Sequence, residues 1–392
     1  MDFETTGLIP SRPNDTRPIP GDTNRNIQDF FKKCILFDVP SEMPQITELC
    51  VLSLPREHFD RASNYLLNCS TLEDDNHELL VHVATNFYSC QIRPSLYPNQ
   101  WKEYEEQRLI TPAIHLSQED LKYKSFFKDE WPLVHMFLQK QRRPACIIAH
   151  NGVRFDFRVL YSELTKNKLL EEYPIPDDVY FLDSYMAFLD LEKNHLDTLS
   201  ATTTTVDWSK IGQVVQHVKK IEYLSKTIDD EAGTSKETTI NDSWEENCVG
   251  ETLDPLRMPK KLDGLKTPPK KRKYDEISTK FEVEIDESIL PLSFMNTSQW
   301  SPAKKRRTSK KFFRKSSEKK WEFNDSEARD YFFKGNFKLE TLYKNITKSD
   351  YNAHYAYDDC QALMQVCLAY GKDFADYMDA KREKLADFHG KK

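Results

Sequence analysis

The sequence predicts an α/β fold that is interrupted by disordered inserts. Apolar, β-rich segments alternate with segments whose apolar residues have helical spacing, and this alternation favours a sheet with helices packed on it. The chain of 392 residues has 30% charged residues, 39% hydrophobic residues and a mean hydropathy of −0.70. This composition is too polar for one compact domain, so it predicts both folded and disordered parts.

The predicted elements follow from local patterns. Four segments are predicted to be strands: residues 46–54, 77–88, 145–149 and 179–183. Three segments have the apolar spacing of helices: residues 155–164, 184–191 and 353–370. Order is also expected near residues 337–343, between the last two of these helices.

Charge and cysteine usage limit the protein class. The net charge is −7. The eight cysteines include no Cys-x-x-Cys pair, so we expect reduced thiols in an intracellular protein and no zinc site. No apolar run is long enough to span a bilayer and no secretory signal opens the chain, so we expect no membrane partner.

Carboxylates and one histidine occur in three separate motifs. Asp2 and Glu4 are two residues apart, so on a strand they point to the same face. Asp156 follows a predicted strand, and Asp359 lies five residues after His354 near the start of a helix. Carboxylate oxygens are the ligands of Mg²⁺, and a nearby histidine can take a proton from an attacking water. The set predicts a phosphodiesterase with two metal ions and a histidine base.

The same motifs carry a family resemblance. Asp2 to Leu8 reads Asp-Phe-Glu-Thr-Thr-Gly-Leu, and it is followed by matching segments at residues 44–50, 149–157 and 337–343 and by His354 and Asp359. The set resembles the histidine-type DEDD exonuclease superfamily and, within it, the three-prime repair exonucleases (TREX-like). The resemblance covers residues 1–9, about 41–200 and about 330–375.

The resemblance implies a fold and an activity. The fold would be a ribonuclease-H-like exonuclease domain with a mixed central sheet, made of residues 1–9, 41–205 and 328–375. The activity would be metal-dependent 3′→5′ exodeoxyribonuclease, which releases nucleoside monophosphates from single-stranded or frayed DNA 3′ ends in DNA repair. Two Mg²⁺ ions, with Mn²⁺ as a substitute, would be the cofactors, and members of this family are typically homodimers.

The resemblance also implies roles for individual residues. Asp2, Glu4 and Asp359 would hold one metal ion, Asp2 and Asp156 would serve the second, and His354 would be the general base. Glu4, Thr5 and Leu8 would contact the terminal nucleotide, with Leu8 wedged against its base. Ile110 and Phe155 would also lie near the DNA end, as further substrate-binding residues.

Two departures from the family leave alternatives open. Only Met1 precedes Asp2, whereas the family's first strand begins several apolar residues earlier. Residues 34–38 also read as a strand that ends in Asp38, which makes Asp38 with Glu42 an alternative, less favoured carboxylate pair. The rival functions are an RNA 3′→5′ exonuclease with the same site and a catalytically weak, nucleic-acid-binding adaptor.

The remaining segments are predicted to be a polar insert at residues 10–40, a largely disordered basic insert at 206–327 and a charged tail at 376–392. Two clusters predict nuclear import, with shuttling to the cytoplasm: Lys270, Lys271, Arg272 and Lys273, and Lys304, Lys305, Arg306 and Arg307. Each cluster follows a Thr-Pro or Ser-Pro pair that resembles a proline-directed kinase site.

One further motif lies in the polar insert. The segment from Asn24 to Lys33, with paired aromatics at Phe30 and Phe31, resembles a sliding-clamp-binding peptide. The alternative is that the two phenylalanines lead into a strand.

Overall fold

The computed structural model describes residues 1–10, 26–69, 77–205, 295–315, 317, 321–333 and 337–389. These residues form a mixed α/β structure, as the alternation predicts. The strands are β1 (Asp2–Thr5), β2 (Ile46–Ser53), β3 (Asn86–Gln91), β4 (Ala145–Ala149), β5 (Val179–Asp183), β6 (Phe313–Lys315) and β7 (Trp321–Phe323). The helices are α1 (Ile27–Ile35), α2 (Arg56–Cys69), α3 (Pro98–Arg108), α4 (Gln118–Leu121), α5 (Phe127–Gln139), α6 (Asp156–Lys166), α7 (Leu169–Glu172), α8 (Ser184–Thr205), α9 (Pro302–Arg307), α10 (Asp325–Phe333), α11 (Leu339–Thr347), α12 (Ala356–Tyr370) and α13 (Lys372–Lys381).

The strands form two main ladders that meet at the first residue. β1 pairs antiparallel with β2, which pairs antiparallel with β3. β4 pairs parallel with β5. The ammonium group of Met1 donates a hydrogen bond of 2.9 Å to the carbonyl oxygen of Ile148 on β4, so the start of β1 lies between β2 and β4. Among the described residues, the antiparallel sheet of three strands and the parallel pair are separate sheets, so the structure shows both kinds of pairing but not the single mixed central sheet that the family resemblance implies.

Helices cover both faces of these strands. On β4, Ile147 and Ala149 pack into one core with α5 and α6, whereas Cys146 and Ile148 face a second core that contains α8 and α12. Burial on both faces explains why β4 is apolar along its whole length. None of the helices in the described ranges combines the length and the apolarity that a membrane span needs.

The segment around residues 26–38 differs from its prediction. Asn26 caps α1 by accepting the backbone N–H of Asp29 at 2.9 Å, and Ile27 and Phe31, four residues apart, are both buried. The predicted strand at residues 34–38 is therefore wrong, because helical spacing of the apolar residues, rather than β propensity, decides the local structure. The Phe31 ring stacks on Phe388 with centroids 5.4 Å apart, so this part of the predicted polar insert belongs to the core.

The predicted strand at residues 77–88 is shorter and later, at residues 86–91. Ahead of it, the backbone of Val81 bonds to a side chain instead of a strand. The Gln365 amide accepts the N–H of Val81 at 3.2 Å and donates to its carbonyl oxygen at 2.7 Å. A single side chain on α12 therefore satisfies the backbone groups that a neighbouring strand would otherwise pair.

Ordered structure also extends into regions expected to be insert and tail. Residues 295–315 and 321–327, inside the segment predicted to be largely disordered, contain α9, β6, β7 and the start of α10. Residues 376–389, expected to belong to a charged tail, include the end of α13 and the buried side chains of Leu385 and Phe388. Sparse apolar residues there pack against distant parts of the chain, and local composition does not reveal such contacts.

Candidate active site

The first strand presents its two acidic residues on one face. Phe3 and Thr5 are buried on the opposite face, and Phe3 lies in the core. Asp359 lies in the first turn of α12. Carboxylate oxygens of Asp2, Glu4 and Asp359 lie within 4.8 Å of one another, so the three side chains could hold a metal ion.

Asp156 lies close to the same group of carboxylates. It is the first residue of α6, and it is 3% exposed. The charge of its carboxylate contributes to the raised pKa of both Asp2 and Glu4, which places it near these two side chains. Four carboxylates, predicted from three motifs far apart in the sequence, are therefore neighbours.

Burial and mutual repulsion make these carboxylates hard to ionise. Burial raises the pKa of Asp2 well above its usual range, and the charges of Asp156 and Asp359 raise it further. Burial, with repulsion from Asp359 and then Glu48, raises the pKa of Glu4 to about 9. Burial also raises the pKa of Asp156 to about 7. No lysine or arginine in the described ranges forms an ion pair with the four predicted ligands.

Two hydrogen bonds fix the carboxylate of Asp359. The Tyr351 hydroxyl donates to one oxygen at 2.6 Å, and the backbone N–H of His354 donates to the other at 2.8 Å. His354 has a φ of 70°, a left-handed conformation that is uncommon for residues other than glycine. The strain is consistent with a turn built to aim this backbone N–H at Asp359.

The His354 side chain is half-exposed and has one acidic neighbour. Its Nε2 lies 3.4 Å from Oε1 of Glu340 on α11. An imidazole next to a carboxylate can accept a proton and be stabilised as the cation. Neither Tyr351 nor Glu340 was identified from the sequence. Both belong to segments that the sequence did mark as ordered, but nothing in the local pattern links them to Asp359 or His354.

A second group beside the carboxylates was also missed. Glu48 pairs with Glu4 across β1 and β2. Burial raises the pKa of the Glu48 carboxyl, and the nearby backbone N–H of Ala356, at the start of α12, partly offsets this rise. His115 Nε2 lies 3.3 Å from Glu48 Oε2, and the His115 ring lies 4.1 Å from the ring of Tyr355. This group connects β2, the chain after α3 and the His354 turn, so it can fix their relative positions.

The turn after β4 is held by buried polar side chains. Asp183 accepts the backbone N–H groups of Asn151 and Val153, each at 3.0 Å. His150 bonds to the Ser184 hydroxyl at 3.0 Å and to the carbonyl oxygen of Phe337 at 2.8 Å. Both residues therefore hold the backbone of this turn in place.

Gly152 allows that turn to pack closely. A Cβ atom at this position would lie 2.8 Å from atoms of Ala149 and of Phe157. Any larger residue would therefore displace the start of α6, where Asp156 is located.

Exposed apolar side chains lie near the end of β1. Leu8 is 84% exposed and Ile110 is 80% exposed. Gly7 lies against Gln107 near the end of α3, because a Cβ atom built on Gly7 would lie 3.6 Å from Gln107 Oε1. The two apolar residues therefore project from neighbouring segments. In contrast, Thr5 is buried, where its hydroxyl donates to the Gly7 carbonyl oxygen at 2.6 Å, and Phe155 packs partly against the core.

The alternative carboxylate Asp38 is not at the acidic group. Asp38 forms a buried ion pair with Arg158, with Oδ1 to Nη2 at 2.6 Å and Oδ2 to Nε at 2.9 Å. Its two oxygens are therefore engaged by a bidentate partner on α6. The structure favours the pair Asp2 and Glu4 over Asp38 and Glu42.

The other predicted interaction motifs have different surroundings. Lys270, Lys271, Arg272, Lys273 and Asn24 lie outside the described residues. In the second basic cluster, Lys305, Arg306 and Arg307 are buried in α9, and Lys304 pairs with Asp373 at 3.0 Å. In the clamp-like segment, Ile27 and Phe31 are buried in the core. Nuclear import and clamp binding stay predictions. The buried side chains of α9 and of α1 would have to leave the core before a partner could bind them.

Comparison with known proteins adds one partial match. Three-prime repair exonuclease 1 from Bos taurus is 41% identical to this chain over 69 residues. The matched stretch is 18% of this chain and 21% of the bovine protein, so the chain spans about a fifth of the relative's length. No protein-family model matches the chain. The match supports a relationship to exonucleases, as the motifs predict, over that stretch alone.

Proposed function

We propose that this protein is a divalent-metal-dependent 3′→5′ exodeoxyribonuclease with a ribonuclease-H-like fold. The observation that carries the proposal is the convergence of Asp2, Glu4 and Asp359, whose oxygens lie within 4.8 Å of one another. Asp156 and His354 complete the set that such chemistry requires. The partial likeness to a protein named as a three-prime repair exonuclease supports exonuclease activity at a 3′ end, and DNA as the substrate is part of the proposal.

The residues at this site fit a hard divalent cation. All four side chains offer carboxylate oxygens, which Mg²⁺ prefers and Mn²⁺ also accepts. Burial is the main cause of their raised pKa values, and for Asp2 and Glu4 repulsion from neighbouring carboxylates adds to it, so a bound cation would favour the ionised forms. Asp2, Glu4 and Asp359 would hold one ion, and Asp2 with Asp156 would serve a second. Bound ions of this kind supply positive charge that activates water and stabilises the leaving oxygen.

The protein's own residues would then move the proton and orient the substrate. His354 would accept a proton from the attacking water, and the nearby Glu340 carboxylate would stabilise the imidazolium. Leu8 and Ile110 are exposed apolar side chains that would pack against the terminal bases of an unpaired 3′ end. Glu4 and Thr5 lie on β1, where the terminal nucleotide would meet the carboxylates.

The proposal is tested with a 5′-labelled DNA oligonucleotide in Mg²⁺, in Mn²⁺ and in chelator. We expect a ladder of products that shorten from the 3′ end, and we expect none with chelator. Asp359→Asn and Asp156→Asn should each abolish cleavage, because each removes a charge that a metal ion needs. His354→Ala should slow cleavage by roughly 10²–10⁴-fold. Asp358→Asn, next to the predicted ligand, is the matched control and should cleave at the parent rate.

The outcomes separate the rival functions. Cleavage of an RNA oligonucleotide with no cleavage of DNA would make the protein an RNA exonuclease. Metal-independent binding of DNA without cleavage would favour the adaptor. Full activity of Asp359→Asn would refute the assignment of the site.

We infer a nuclear location from the basic segment at residues 270–273. The segment is compatible with recognition as an import signal because it combines four consecutive positive charges with the preceding prolines. Replacement of the four residues by alanine should move a fluorescently tagged protein to the cytoplasm. Unchanged nuclear fluorescence would show that residues 270–273 are not the import signal.

A further inference from the structure

A small cleft lies at the end of the sheet where β1 and β3 end and β2 begins. Its volume is about 190 Å³. The start of α5, the end of α6 and the residues that follow β3 form its walls. Three basic residues line it, namely Arg93, Lys128 and Lys166, and Glu163 is the one acidic residue among the described residues that do so. The cleft therefore carries an excess of positive charge, although the chain as a whole has a net charge of −7.

Two of these cations are held beside the same aromatic ring. The guanidinium carbon of Arg93 lies 5.3 Å from the centre of the Phe126 ring, and the ammonium nitrogen of Lys128 lies 6.0 Å from the same centre. Arg93 Nη1 also donates a hydrogen bond of 2.9 Å to the carbonyl oxygen of Lys122, which fixes the direction of the guanidinium. Two like charges this close repel each other, so a bound anion would stabilise the arrangement.

The positive charge of the cleft is not balanced from within. In the part of the chain that the structure describes, no carboxylate forms an ion pair with Arg93, Lys128 or Lys166. Glu163 is 5% exposed and accepts the side-chain amide of Asn167 at 3.0 Å. Burial raises the pKa of the Glu163 carboxyl, and the charge of Lys166 partly offsets this rise. Glu163 therefore offsets at most part of the charge of Lys166.

The start of α5 adds hydrogen-bond donors to the same wall. Phe127 and Lys128, which line the cleft, are the first two residues of this 13-residue helix. The residue before them, Phe126, has no side-chain oxygen that could cap the helix. The first backbone N–H groups of a helix have no partner within it, and phosphate groups bind to such ends. The amides at this end therefore reinforce the side-chain cations.

The cleft adjoins the strand that carries the acidic group. Gln45, another residue of the cleft, accepts the backbone N–H of Thr6 at 2.9 Å and donates its own N–H to Thr6 Oγ1 at 3.0 Å. Thr6 is two residues after Glu4, which is roughly 7 Å along an extended chain. A polynucleotide whose 3′ end lies at the carboxylates, and which continues past Leu8, would therefore pass this end of the sheet.

We propose that the cleft binds the phosphodiester backbone of a nucleic-acid strand whose 3′ end lies at the carboxylates. The inference rests on the proposed function, because that function places the 3′ end. Arg93 would bind two oxygens of one phosphate with its remaining N–H groups, and Lys128 and Lys166 would contact the same phosphate or its neighbours as point charges. Contacts of this kind hold a strand in position without reading its bases.

The test measures how a 5′-labelled oligothymidylate binds in chelator, by fluorescence anisotropy at several salt concentrations. The test variant is Lys128→Gln with Lys166→Gln, because both side chains are exposed and their loss should leave the fold intact. The matched control replaces two exposed lysines elsewhere, Lys140 after the end of α5 and Lys381 at the end of α13, with glutamine. Each phosphate contact adds about 0.7 to the slope of log K against log salt for a single strand, so the slope should be shallower by about 1.4 in the test variant alone.

Two further measurements locate the contact. Arg93→Lys should weaken binding with little change in the salt slope, because it keeps the charge and loses the planar fork. Amide exchange of residues 126–128 should slow when the oligonucleotide is added. Equal slopes in the test and control variants would overturn the proposal. Equal slowing of exchange by inorganic phosphate alone would also overturn it, because the cleft would then be a site for a free anion.

Cleavage in Mg²⁺ is measured separately, so the two proposals can fail independently. A protein that cleaves DNA but has the same salt slope in every variant would refute the role of the cleft alone. A protein that does not cleave, yet loses salt dependence in the test variant, would refute the nuclease activity and retain the binding of the backbone at the cleft.

Discussion

Replacing Arg307 with alanine should destabilise the folded domain, although the sequence places this residue in a basic cluster that predicts nuclear import. Its guanidinium is fully buried, and Nε lies 2.6 Å from Oε1 of Glu192 on α8. The rings of Phe332, Tyr331 and Phe337 surround it, with Phe332 the nearest at 5.0 Å. Removal of the guanidinium would leave the Glu192 carboxylate buried without its cation.

The magnitude follows from the cost of an unpaired buried charge. Breaking a buried ion pair by removal of one partner costs roughly 3–5 kcal/mol. For a domain of this size we expect a fall in the unfolding midpoint of on the order of 10 °C. Burial already raises the pKa of Glu192. In the variant, the pKa of Glu192 in the folded state should rise further above its value in the unfolded state, so the folded state binds the Glu192 proton more strongly. The loss of stability relative to the parent protein should therefore be smallest in acid and should grow as the pH rises.

The assay is thermal and urea unfolding, followed by circular dichroism, at several pH values. Arg314→Ala is the matched control, because its contact with Glu322 is 3.7 Å long and exposed, and its loss should change the free energy of unfolding by less than about 0.5 kcal/mol. If Arg307→Ala unfolds like the parent protein, the buried contact between Arg307 and Glu192 does not anchor α9 in the core. The cluster would then be accessible for recognition by a partner.

Two further predictions concern the acidic site. In chelator, stability should fall as the pH rises from roughly 4 to 9, because the folded state keeps the Glu4 proton that the unfolded state has released. Glu4→Gln should flatten this dependence, and an identical slope in both proteins would show that Glu4 ionises normally. His115→Ala should lower kcat more than it raises KM, because the His115 ring packs on Tyr355, next to His354, and helps to hold that turn; His115→Phe, which keeps a ring there, should restore part of the rate. An effect on thermal unfolding alone would make His115 merely structural.

The parts of the fold that the sequence predicted are those with a local signal. β4 and β5 are short apolar runs that end at turns, and helix α12 has an apolar face, so each was found within a few residues of its observed bounds. The acidic residues were found because motifs of fixed spacing carried them. Their convergence is a property of the whole fold, and the structure was needed to measure it.

What the sequence could not show depends on contacts between distant residues. Residues 304–307 differ from residues 270–273 only at the last position, yet Arg307 is buried, where it pairs with Glu192, 115 positions away in the sequence. In the same way, Asp38 reads as a spare carboxylate until Arg158 is placed beside it. Neither Glu192 nor Arg158 is marked as a partner by spacing or composition. The sequence pattern alone therefore predicts that Arg307 and Asp38 lie on the surface.

The Glu192–Arg307 contact also determines how the chain between α8 and α9 can change over evolution. A second contact joins the two segments: His195 Nε2 on α8 forms a hydrogen bond of 2.8 Å with the hydroxyl of Thr308, the residue that follows α9. The two contacts join residues that are 115 and 113 positions apart in the sequence. The entropy of closing a loop grows slowly with its length, by about 0.6 kcal/mol for each doubling. A change in the number of residues between the two contacts should therefore alter the stability of the described domain only slightly.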